Sequence, residues 1–140
     1  MQRSAMRELA FKLIYGIEMQ KDSESLEQVD MFLESNDVTD EKTIEYLRDI
    51  EQGLRINSEE INSLIESNLK ENWSLSRISK INLSLIKIAI YEMLYKDVPY
   101  KVAINEVVEL AKKYSDDTAP TFINGILASV VKTKKLNEKD

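Results

Sequence analysis

DVPYKVAINEVVELAKKYS, residues 97–115, reads as a helix that begins beside a proline. Pro99 fixes its own φ and has no N–H to donate, which suits the first turn of a helix and little else in one. Behind it Val102, Ala103, Val107, Leu110, Ala111 and Tyr114 recur at helical spacing and mark an apolar face. Asn105 and Glu106 sit mid-helix, although helix formation requires neither. Two readings follow: buried hydrogen-bonding groups that join helices, or part of a ligand site.

The same periodicity extends outward in both directions. Residues 3–20 put Met6, Leu9, Ala10, Leu13, Ile14 and Ile17 on one face of a first helix. Ser23 or Ser25 can cap a second, carrying Leu26, Val29 and Leu33, which the polar segment Ser35 to Asp40 ends. Thr39 or Asp40 opens a third with Ile44, Leu47, Ile50 and Leu54, and Asn57 and Ser58 break it from a fourth with Ile61, Leu64, Ile65 and Leu69, ending near Asn72. A connector from Trp73 to Ile78, with Ser74 or Ser76 as cap, leads to a helix from about Ile78 to Lys96. That helix carries more apolar residues than one stripe can hold and is expected to be central and buried on several sides. Downstream of the Pro99 helix, Asp116, Asp117 and Thr118 offer caps for a last helix through about Lys132, with Pro120 in its first turn. The expected fold class is all-α, a compact bundle of about seven helices.

Composition narrows the function. The 140 residues include no Cys, no His, three Gly and two Pro. There is no thiolate, no near-neutral base and no soft metal ligand, so metal-assisted and Cys/His chemistry are improbable. Three glycines cannot build a phosphate-cradling loop, and no such motif occurs. Asp116 and Asp117 read as helix caps before they read as a catalytic pair. The chain is expected not to be an enzyme and to need no cofactor or metal. No apolar run reaches the length of a membrane span, so a cytoplasmic protein without membrane contact is expected. The net charge is −6, but residues 22–71 hold fifteen acidic and four basic residues, whereas the remainder holds ten acidic and fifteen basic. Screening confines phosphate attraction to about 8 Å, so the basic remainder can bind RNA.

Candidate contacts fall in that remainder. Arg77, Lys80, Ser84, Lys87 and Tyr91 follow at steps of three and four, as one polar face of the central helix. Arg3 and Arg7 lie one turn apart ahead of Tyr15, again cations followed by a ring. For both groups the alternative is the ordinary polar side of an amphipathic helix. Phe122 near the last helix start is either a core anchor or a stacking platform. Gly125 costs about 1 kcal/mol relative to Ala within a helix, so a neighbouring helix or a ligand is expected to approach it closely.

These blocks resemble the NusB transcription antitermination family. DVPYKVAINEVVELAKKYS carries the strongest likeness, with RISKINLSLIKIAIYEML before it, FINGIL after it, and RELAFKLIYGIE similar to the family's first helix. The resemblance implies one RNA-binding domain over residues 1–140, in two packed three-helix-like halves of about 1–72 and 73–140. It implies binding of boxA-containing RNA together with the small-subunit ribosomal protein that acts as NusE, indirect action on transcribing RNA polymerase, and readthrough during ribosomal RNA transcription. Carried across, the family's basic start falls on Arg3 and Arg7, its first-helix tyrosine on Tyr15, its central-helix cation on Lys87 and its late aromatic on Phe122. Arg77 and Lys80 complete the expected RNA-binding set.

This chain departs from the family pattern at the interrupted start MQRSAMRE, at Thr121 and at Asn68, where the family often has basic or aromatic residues. Two alternatives remain. One is a helical adaptor that acts by forming a homodimer. The other is an accessory domain like that of certain ribosomal RNA methyltransferases, against which stand the missing Gly-rich segment and the Lys-rich end at Asp140.

Overall fold

Seven α-helices and two short 3-10 turns, Leu75–Arg77 and Leu136–Glu138, make up the computed structural model, which describes residues 1–20 and 24–138; no strand occurs among them. The helices are α1 (Arg3–Met19), α2 (Ser25–Ser35), α3 (Glu41–Ile56), α4 (Ser58–Ser67), α5 (Lys80–Tyr95), α6 (Tyr100–Tyr114) and α7 (Ala119–Thr133). None among the described residues is long and apolar enough to cross a membrane. The chain divides into two units, Met1–Ile56 and the segment from Asn57 onward. The division therefore falls ahead of α4, not near Asn72.

In the first unit α1 packs along α3, and α2 packs on both. The apolar rows expected from spacing are the buried ones, among them Met6, Ala10, Leu13 and Ile14 of α1 and Leu47, Ile50 and Leu54 of α3. Asp40 starts α3 by accepting the Thr43 N–H at 3.1 Å and the Thr43 hydroxyl at 2.6 Å. Those two bonds hold its carboxyl below the usual carboxylate value. Ser25 does not cap α2; its hydroxyl donates to Glu51 at 2.8 Å, and Arg55 Nε meets the same carboxylate oxygen at 2.9 Å. The buried charge of Glu51 is thus paired and hydrogen-bonded, as burial demands. Ser23, the alternative cap, lies outside the described residues.

In the second unit α5 packs against α6 and α7, which also pack on each other, and α4 touches α5 and α7. Leu85, Ile86, Ile88, Ala89 and Ile90 are all fully buried, so α5 is covered on every side. Its cap is Ser79, which accepts the Asn82 N–H at 3.2 Å; Ser74 and Ser76 bond each other instead, and the helix begins at Lys80. Small residues Ala103, Val107 and Ala111 form the buried stripe of α6. Val102, expected on that stripe, is exposed. Asn68 explains why α4 belongs here. Its amide donates to the Leu64 carbonyl at 2.8 Å, while its oxygen accepts from Ser129 at 2.5 Å and Thr133 at 3.1 Å, tying the end of α4 to α7. Asp116 opens α7 by accepting the N–H groups of Thr118 and Ala119, both at 3.0 Å, and the Thr118 hydroxyl at 2.7 Å.

Candidate nucleic-acid interface

Helix α1 separates the cations that spacing had grouped. Arg3 is exposed, and its guanidinium lies 4.9 Å from the centre of the Tyr46 ring of α3, which positions it without burying it. Arg7, one turn on, is only 2% exposed and engaged inside the protein. A guanidinium so withdrawn from solvent does not reach a phosphate, and the expectation for Arg7 is corrected on that ground. Tyr15 is half-buried and stacks on Phe11, ring centres 6.0 Å apart.

The second unit divides the expected polar row of the central helix. Arg77 stands in the 3-10 turn before α5, and Lys80 is the first residue of α5; both are exposed. Ser84, by contrast, is fully buried and donates its hydroxyl to the Lys80 carbonyl at 2.7 Å, and Tyr91 is buried against Tyr95. Lys87 is half-buried with a partner in the protein. The row is therefore a basic helix start followed by buried polar groups, because a helix covered on all sides must satisfy its hydroxyls internally.

Phe122 is half-buried near the start of α7, and its ring lies 5.8 Å from that of Trp73 at an interplanar angle of 35°. Trp73 is 48% exposed. Sequence reasoning passed over Trp73 as connector; the signal was there, in the one Trp of the chain set among small polar residues. The arrangement is two rings beside a segment carrying Arg77 and Lys80.

A groove of about 420 Å³ between α6 and α7 is lined by Tyr100, Lys101, Asn105, Asn124, Ala128 and Lys132, with others. Asn105 is exposed there and does not join helices, so of the two readings for the opening motif the buried one fails at this residue. Gly125 is exposed too, and a methyl group on it would meet nothing within 4 Å. Of the two neighbours expected there, a helix and a ligand, the helix is absent.

Residues 4–132 match the NusB family. The chain belongs to the NusB family. The transcription antitermination protein NusB of Acetivibrio thermocellus is 49% identical over 138 residues, covering 98% of this chain and 93% of that protein. Its counterpart in Ruminiclostridium cellulolyticum is 44% identical over 133 residues, covering 94% and 90%. The solved structure of T. maritima NusB superposes with a TM-score of 0.88 at 31% identity, covering 99% of this chain and 98% of that one. A structure of antitermination factors NusB and NusE in complex with dsRNA shares the fold, with a TM-score of 0.84 at 23% identity over 94% and 96% of the chains. The NusB fold is therefore the frame in which these cations and rings are held.

Proposed function

We propose that this protein is an RNA-binding transcription antitermination factor of the NusB type, which binds boxA RNA together with the ribosomal protein acting as NusE. Family membership over residues 4–132 is the observation that carries this reading. It is supported by the exposure of the cations Arg3, Arg77 and Lys80 and by the half-buried rings of Tyr15 and Phe122. Arg3, Arg77 and Lys80 hold phosphates, and Tyr15 and Phe122 stack on unpaired bases, each stacked base contributing about 1–3 kcal/mol. Lys87 adds charge from its half-buried position, while Arg7 serves the interior. No bond is made or broken; the protein works in the cytoplasm by holding RNA and partner together beside transcribing polymerase. Linking two binding surfaces raises affinity without new contacts, so the pair binds more tightly than either protein alone.

The test is a titration of boxA-like and scrambled single-stranded RNA, with and without the NusE-type protein. Tighter binding of the boxA-like RNA, strengthened by the partner, is expected. Equal affinity for both RNAs in every mixture would sink the reading.

A further inference from the structure

We infer that Trp73 is a further base-stacking residue, forming with Phe122 a two-ring step for an unpaired base of single-stranded RNA; this rests on the RNA-binding reading above. The indole is 48% exposed, and a specific backbone turn directly precedes it. Asn72 adopts the left-handed conformation at φ 73°, and the Trp73 N–H closes a turn on the Lys70 carbonyl at 3.1 Å. Asn is among the few side chains that tolerate this backbone. The chain is thereby redirected directly before the ring.

Phe122, half-buried, lies against the indole at 5.8 Å and a tilt of 35°, and the indole keeps solvent-open surface beside it. Residues 70–80 add Lys70, Arg77 and Lys80 against the single acid Glu71, and the side chains between Trp73 and Arg77 in sequence include the small Ser74 and Ser76. An apolar partner helix has no use for three cations within seven residues of its anchor. A nucleic-acid strand needs a ring for its base and cations for its phosphates, and stacking tolerates any base because each has a π-face.

Trp73 is the only Trp, so its emission reports this position alone. Single-stranded boxA-like RNA, with the NusE-type protein present, is expected to quench that emission over the concentrations at which labelled RNA shows binding by anisotropy. Trp73→Ala is expected to weaken the labelled RNA roughly 5- to 100-fold with an unchanged salt slope, since stacking displaces no counterions. Trp73→Phe, which keeps a ring and the packing on Phe122, is expected to retain most of the affinity, and it serves should the Ala variant fail to fold. RNA that binds the parent without altering its emission, or binds Trp73→Ala as well as the parent, overturns the assignment and leaves RNA binding intact. Emission changed by the NusE-type protein alone and not further by RNA overturns it in favour of a protein contact. No RNA binding by parent or variants in any mixture defeats the antitermination reading itself, and this assignment with it.

Discussion

Gly125 and Tyr95 show how a single side chain, or its absence, registers in stability. A methyl group at Gly125 meets open space on an exposed helix surface, so Gly125→Ala is expected to raise stability by up to about 1 kcal/mol, the helix-propensity difference. Urea unfolding followed by circular dichroism checks this, and a loss of stability would show that the methyl meets a neighbour. Tyr95 is the opposite case. Its hydroxyl is buried without a hydrogen bond, and burial first, then the Glu60 carboxylate, pushes the phenol up to about 12 from its ordinary 10.0. The neutral phenol is therefore favoured by folding, a contribution fully present below pH 10 and lost as pH rises toward 12. The melting temperature is expected to fall across that window, and Tyr95→Phe to flatten the fall. An identical alkaline fall in both proteins would refute the assignment to Tyr95.

Helix boundaries were legible wherever the chemistry is local. The apolar rows of α1, α3 and α5 and the cap role of Asp40 and Asp116 follow from spacing and from which side chains can accept N–H groups. What spacing could not give is whether a polar face meets solvent, because that depends on which helices cover it. Arg7 and Ser84 sit at positions that look as open as Arg3 and Lys80, yet neighbouring helices bury them. Asn68 likewise reads as a lost aromatic until α7 brings Ser129 and Thr133 to it. The cap of α7 offers a test at this scale. The Thr118 hydroxyl first, and then the Thr118 N–H, hold the Asp116 carboxyl below its ordinary 3.8, so its contribution is present above that value and lost as pH falls through the depressed one. Asp116→Ala is expected to lower the melting temperature at neutral pH and to differ little from the parent in acid. Thermal melts at the two pH values decide it; a variant equal to the parent at neutral pH would remove Asp116 from the cap.

Charge acts at the scale of the whole molecule, and there the net −6 misleads. The acidic surplus is confined to residues 22–71, while Arg3, Arg77 and Lys80 stand exposed outside that segment. Phosphate binding is felt within about a Debye length, so those cations attract RNA despite the overall sign. Each phosphate contact releases condensed counterions, and for single strands the salt slope of log K falls by about 0.7 per contact. Arg3→Ala, Arg77→Ala and Lys80→Ala are each expected to flatten that slope by about this amount and to weaken boxA-like and scrambled RNA alike, because phosphate contacts carry no sequence information. Arg7→Ala is expected to behave differently, lowering the melting temperature, since it removes a buried guanidinium together with the interaction it makes in the protein. Anisotropy titrations at a series of salt concentrations, paired with thermal melts, separate the two behaviours. An Arg7→Ala protein with an unchanged melting temperature and a flattened salt slope would return Arg7 to the RNA-binding surface. The three exposed cations would leave that surface if their variants kept the parental slope.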